Sequence, residues 1–572
     1  MSVMRRGLVA GIAAAGALML PAAAYAHAAL LHTVPQASGT VNTPPKEVAL
    51  TYSEAVEPRF AIVSVTDASA NRETTGPPRR STSDPNTLLV PLKHLGQGWY
   101  LVYWRVISVD GHPVRGAFTF AVGPNPGPSP QFVIPSISET AATPKLLVAR
   151  WIVFLAVMTA VGLAALRLAV ARPVIRRVPG SSLRAVSISF CIAAAIGLVA
   201  IPVYTLLATA DFALRSVFSI GALVPLVRAS AFGRGYVDLW LCFALFVVAA
   251  ALAIRIDRPE RAERSLAELI AATGVVLAAA AALLVPGLSG HAAQTSPRGL
   301  SVLLDWLHLG SGSLWIGGLV GLLVLWRSLP ATSRIAGLVV AVPRFSNVAF
   351  VSVLVLVASG TGASILHLPT VSSLWQTSYG QALLVKIGLL AAALCLASVN
   401  LLRTKPQLAR PDVGSGTATL LRRLVTGETI LVAAAVFAAA VLSSLAPPSK
   451  ALAAVGGAAA RVGPGPVVHT VKKNGYTFDF TISPNKAAIP NSFAVKVTRN
   501  GQPVRHADVV VTVEMLDMLM TNQAYRMSET TPGVYSHAAP ALVMVGHWGL
   551  SFNVAPRGQA PFNVLLVDKA EG

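Results

Sequence analysis

Hydrophobic and polar positions change their rhythm three times along this chain of 572 residues. Arg5 and Arg6 precede an apolar run from Leu8 to Leu20 and then Ala24-Tyr25-Ala26. That is the pattern of an export signal, residues 1–26, ending at a small-residue cleavage site. From 27 to 125 the chain alternates in short runs broken by Pro, Gly, Ser and Asn. The alternation predicts strands at Glu47–Tyr52, Phe60–Thr66, Thr87–Pro91, Gly98–Ile107 and Gly116–Val122, hence an all-β sandwich.

Between 144 and 446 the alternation gives way to long Ala/Leu/Val runs. Runs of the ~20 residues needed to cross a hydrocarbon core fall at 145–170, 184–209, 236–256, 266–287, 300–326, 343–366, 380–402 and 424–446. These predict an eight-helix transmembrane domain, with 211–233 a candidate interfacial or re-entrant segment. Alternation returns in 466–572, as in Phe493-Ala494-Val495-Lys496-Val497, and Asn500-Gly501 is a hairpin signal. A second β-sandwich is expected there. Pro/Gly-rich linkers at 126–143 and 447–465 separate the three parts.

Composition agrees with a multi-pass membrane protein: 54% of residues are hydrophobic and 12% charged. The net charge of +21 sits largely in short loops, those after the first, third, fifth and seventh spans. The 367–379 loop has no Lys or Arg, and 288–299 has Arg298 alone. By the positive-inside rule, both flanking domains face outward, on the periplasmic side of a bacterial inner membrane. Topology thus accounts for the basic charge, and no nucleic-acid partner is expected. No phosphate-cradling motif is present, so ATP is not expected either. Cys191, Cys242 and Cys395 fall in predicted spans, which leaves no disulfide to the outer domains.

Cleavage after Ala26 would give His27 a free α-amine beside its imidazole, a compact nitrogen chelate. Asp110 and His112, two apart across Gly111, would complete three nitrogens and one oxygen, a set suited to Cu(II). The same residues also suit a plain turn in which Asp110 bonds backbone amides. Glu54 is a candidate acceptor for the His27 amine. In the spans, ionisable groups are costly and default to function. These are His291, Asp305, His308, His367 and Lys386, clustered in the outer half, with Glu428 in the eighth span. A structural Asp305–Lys386 pair with interfacial histidines is the alternative. Of nine methionines, Met515, Met518, Met520, Met527 and Met544 lie in the last domain. Met518, Met520 and His547 could hold Cu(I); core packing is the alternative.

The start His27-Ala28-Ala29-Leu30, then Tyr52-Ser53-Glu54 and Val109-Asp110-Gly111-His112, resembles the CopC family of copper-binding domains. That resemblance implies a cupredoxin-/Ig-like sandwich holding one Cu(II) through His27, Asp110 and His112. With no methionine between 27 and 143, a Met-rich Cu(I) loop is not expected in this domain. Ser289-Gly290-His291, Asp305-Trp306-Leu307-His308, Trp315-Ile316-Gly317-Gly318, Ser359-Gly360 and Tyr379-Gly380 with Lys386 resemble the CopD family over about 280–430. Gly533-Val534-Tyr535 and Met544-Val545-Gly546-His547-Trp548 resemble the YtkA-like domain. The resemblances imply copper capture outside the membrane and copper import, in homeostasis or resistance. They imply copper ions, the bilayer and other periplasmic copper proteins as partners. A copper-responsive sensor or accessory protein is the alternative. An oxidative copper enzyme is not expected, since Asp110 would fill the position that oxygen needs.

Overall fold

The computed structural model describes residues 30–571 except 38, 108–112, 128–129, 131–142, 331, 409, 411–414, 446–447, 449–459, 488, 518–521 and 559–560. Its first domain has strands β1 (Leu30–Val34), β2 (Thr40–Val41), β3 (Glu47–Tyr52), β4 (Ile62–Asp67), β5 (Arg79–Arg80), β6 (Thr87–Pro91), β7 (Gly98–Ile107) and β8 (Pro113–Val122). They form two four-stranded sheets, β1-β3-β6-β5 and β2-β8-β7-β4. Alternation drives this arrangement: Val48, Leu50 and Tyr52 of β3 point inward with Val102, Trp104 and Val106 of β7. Three strands were not expected from the pattern. β2 and β5 are too short to show a period, and β5 is Arg-Arg. Phe60 belongs to a short turn begun by Pro58, whose fixed φ suits a turn better than a strand.

Among the described residues, eight helices are long and apolar enough to cross a membrane. The long helices are α1 (Pro144–Ala165), α2 (Arg184–Ala213), α4 (Ala231–Ile256), α5 (Leu266–Ser289), α6 (Arg298–Ser328), α7 (Arg334–His367), α8 (Ser378–Val399) and α9 (Ser415–Leu442). A short α3 (Ile220–Ala229) lies between α2 and α4. Its ten residues reach about 15 Å, half a hydrocarbon core, so 211–233 does not cross. The helices outrun the apolar windows because polar residues continue the same hydrogen-bonding. α9, for example, begins at Ser415 and carries Arg422 and Arg423 before its apolar part.

Close backbone approach holds α6 against α1. A Cβ on Gly317 would come within 2.4 Å of the Gly162 Cα, so both positions need glycine. A buried ion cluster ties α5 to the loop regions: Arg167 bonds Asp257 at 2.7 Å, and Arg172 reaches Asp257 and Glu268, each at 3.1 Å. Glu268 also closes a capping box with Ser265 at the start of α5.

The last domain comprises β9 (Ala460–Val462), β10 (Val467–Lys473), β11 (Tyr476–Ser483), β12 (Asn491–Arg499), β13 (Gln502–Pro503), β14 (Asp508–Met515), β15 (Gln523–Thr531), β16 (Val534–Ala539), β17 (Gly546–Ala555) and β18 (Phe562–Ala570). Its ten strands are one continuous sheet. β15 turns the corner: its first half pairs with β14 and its second with β16. The two halves meet across an aromatic core, with Phe480 and Phe552 centroids 4.7 Å apart. Asn500 and Gly501 both have positive φ, 50° and 79°, as the expected two-residue hairpin requires.

The two β domains pack together. Ala117 N–H donates to the Val543 carbonyl at 3.1 Å, and Val545 covers Leu101 and Ala117.

Candidate functional site

In the membrane domain, three helices bring the expected ionisable residues together. His308 stands on α6, where its Nδ1 lies 3.1 Å from the Leu356 carbonyl and 3.3 Å from Ser359 Oγ, both on α7. A carbonyl only accepts, so Nδ1 carries the proton and Nε2 keeps its lone pair. Lys386 of α8 points its Nζ at that lone pair, 3.3 Å away. Asp305 is three residues earlier on the His308 face, and its charge acts on Lys386. Its Oδ2 lies against Gly287 of α5. Space for the imidazole comes from Gly360, where a Cβ would lie 3.0 Å from His308 Cε1. One turn along α6, Met158 of α1 reaches the face of Gly312 beside Leu356.

His367 is engaged elsewhere. Its Nδ1 donates to Ala363 O at 2.7 Å, and its Nε2 meets Thr295 Oγ1 at 3.2 Å. His291 begins a four-residue helix, and its side chain lies outside the described residues. Cys191 and Cys395 are exposed on their helices.

His27, Asp110 and His112 lie outside the described residues. The strands that flank them are in register: Ile107 pairs with Pro113, and Leu30 with Tyr52. Tyr52 and Trp104 meet edge to face, centroids 5.8 Å apart. Both are fully buried, and neither the Tyr52 hydroxyl nor Trp104 Nε1 has a partner among the described residues. Burial pushes the Tyr52 hydroxyl well above its usual pKa, so it stays neutral. Glu54 follows two residues after β3.

In the last domain His547 is buried, and its Nδ1 lies 3.0 Å from Asp517 Oδ2. The same carboxylate oxygen accepts the His547 backbone N–H at 2.7 Å. Met515 and Met544 are buried nearby in sequence, whereas Met518 and Met520 lie outside the described residues. Burial raises the Asp568 carboxyl to about 6, against the lowering effects of its Asn485 bond, a Lys569 amide and the His547 charge. Among the described residues, no group of three or more His, Cys, Asp or Glu side chains has metal-holding geometry.

Three family models match in order: the CopC domain at 30–123, copper resistance protein D at 339–442 and the YtkA-like family at 470–552. Copper resistance protein C of Escherichia coli is 30% identical over 128 residues, 21% of this chain and 94% of that protein. The copper transport protein CutJ of Bacillus subtilis (strain 168) is 28% identical over 550 residues, 93% of each chain. This chain belongs to the CopC–CopD copper proteins. Among solved structures, CopC from Methylosinus trichosporium OB3b is 30% identical, covering 18% of this chain and 99% of that one, with a TM-score of 0.17.

With eight apolar helices and a CopD segment, this CopC–CopD chain is an integral membrane protein. The CopD match is narrower than the resemblance read from the sequence. It includes Ser359, Gly360, His367 and Lys386 but begins after Asp305 and His308. Two partners, one in each of these candidate sites, carried no signal of their own in the sequence. Leu356 enters through its backbone carbonyl, which any residue could supply. Asp517 pairs with His547 across thirty positions, a separation that only the β14–β17 pairing closes.

Proposed function

We propose that this CopC–CopD chain captures Cu(II) outside the bacterial inner membrane and carries copper inward through its membrane domain. His27, by amine and imidazole, with Asp110 and His112, would hold the ion, and Glu54 would orient the amine. These are nitrogen and carboxylate donors suited to Cu(II). The domain limits would be 27–125, 144–446 and 466–572, with both β domains on the periplasmic side. The name of CutJ, a copper transport protein similar along nearly the whole chain, supports transport over an accessory or sensing role. Oxidative chemistry finds no support in the names of these relatives.

The observation that carries the reading is the Lys386–His308 contact. In a membrane helix, an imidazole is anchored through Nδ1 to Leu356 and Ser359, and its other nitrogen, of a kind that can ligate a metal, faces the Lys386 ammonium. Copper reaching Nε2 must displace Lys386, and Asp305 is the acceptor toward which the ammonium can turn. His291 and His367 would belong to the outer mouth of this route. If any copper is reduced on the way, Met518, Met520 and His547 would be its Cu(I) ligands. Copper accumulation in vesicles containing the full chain tests the proposal and its direction. Accumulation no greater than in protein-free vesicles would leave the sensing alternative.

A further inference from the structure

One buried carboxylate in the membrane has no part in the route described. Glu428 of α9 is 3% exposed. It accepts a hydrogen bond from Nδ2 of Asn400, and another from the Trp315 indole. Asn400 opens a π-turn, Asn400–Thr404, that interrupts the helical ladder at the end of α8. Such turns are costly and concentrate at functional sites. Glu428 and Asn400 both line a cavity of about 250 Å³ with Trp315, Ser346, Ser398 and Lys405. A cavity this large admits several waters.

The cavity continues the face of α6 that carries the copper route. His308, Gly312, Trp315, Leu319 and Leu322 recur at helical spacing, and the last three line the cavity. His308 and Trp315 are thus about 10 Å apart along the axis. The donor chemistry differs from one end of the face to the other. Among the described residues, no thiol, thioether or imidazole lines the cavity, so it offers little to soft copper. Its oxygen donors, Glu428, Asn400, Ser346 and Ser398, suit a proton. Oδ1 of Asn400 is buried without a partner among the described residues. Since Oδ1 can only accept, a donor must satisfy it, either a water in the cavity or a protonated Glu428 carboxyl. Among the described residues, Lys405 is the other charged side chain on the cavity wall, and its Nζ donates to Asn347 Oδ1 at 3.1 Å.

We propose that Glu428, clasped by Asn400 and Trp315, is a proton-binding site whose loading and release accompany copper movement. The inference rests on the transport reading, and two measurements on the full chain separate them. In the first, the carboxylic-acid carbonyl stretch is followed by infrared difference spectroscopy across pH. The parent should show a protonated carboxyl that Glu428→Gln lacks; identical spectra overturn the proton site, whether or not the chain transports copper. In the second, copper accumulation in vesicles is compared with and without an imposed pH gradient. The parent should respond severalfold, Glu428→Asp should keep the response, and Glu428→Gln should accumulate copper without it. A Glu428→Gln response equal to the parent's, or a parent blind to the gradient, overturns the coupling. A parent that accumulates no copper fails the transport reading and the coupling with it, while the infrared result still decides the site.

Discussion

Lys386 Nζ lies 3.3 Å from His308 Nε2, on the ring atom that a copper ion would take. The opposite ring nitrogen is fixed by Leu356 O and Ser359 Oγ, so the imidazole cannot turn away without losing those bonds. On the proposed route lysine and metal would compete for one lone pair. That competition would make Lys386 a gate and gives the proposal a direct genetic handle.

Replacing Lys386 by Met should uncover Nε2 and leave Asp305 without its nearby cation. Copper accumulation should then lose its dependence on gating and rise at low copper. Stability should fall, by up to roughly 3–5 kcal/mol, because a partly buried charge in a membrane helix has lost its nearby cation. Thermal unfolding in detergent and copper uptake in vesicles measure the two effects. Lys386→Met with parental uptake and stability would remove the gate.

Gly360→Val tests the seat of the imidazole. A Cβ at this position already falls 3.0 Å from His308 Cε1 and 3.3 Å from Nδ1, and a branched side chain must push the ring off Ser359. An overpacking cost of about 1–3 kcal/mol is expected, with copper accumulation strongly reduced. Gly360→Ala should be intermediate.

Much of this was legible in the chain. The eight spans, the first-domain strands β3, β4, β6, β7 and β8 and the Asn500-Gly501 turn follow from period and turn chemistry. They are set by which residues can face lipid, core or water. The grouping of Asp305, His308 and Lys386 was legible because charged groups in hydrocarbon are rare enough to point to one another. What escaped was context. A backbone carbonyl such as Leu356 O has no residue signature, and the Asn400 π-turn leaves no composition mark. The corner in β15 depends on two different strands claiming its two halves, which period alone does not encode.

Copper(II) binding should depend on a free amine at His27. One extra residue before His27 turns that nitrogen into an amide and removes a donor. Titration of the purified chain should show sharply weaker Cu(II) binding. Asp110→Ala or His112→Ala should weaken it less, because the His27 chelate survives. Unchanged affinity in the extended chain would refute the donor set.

The last domain should be less stable near neutral pH than in mild acid on account of Asp568. Its carboxyl is raised from 3.8 to about 6 in the fold, so the folded state binds the proton more tightly than the unfolded chain. That contribution is complete below the unfolded value and is lost as pH rises through the folded one. The loss should be on the order of 2–3 kcal/mol between pH ~4 and ~7. Urea midpoints of this domain, read by pulse proteolysis, should fall over that range, and Asp568→Asn should flatten the slope.

The most direct measurement is copper accumulation by vesicles carrying His308→Ala beside the parent, with Cu(II) binding to the first β domain measured on the same preparations. If copper passes over His308, accumulation should drop to the level of protein-free vesicles while Cu(II) binding stays at the parental value. A normally inserted His308→Ala chain that accumulates copper like the parent would contradict the route.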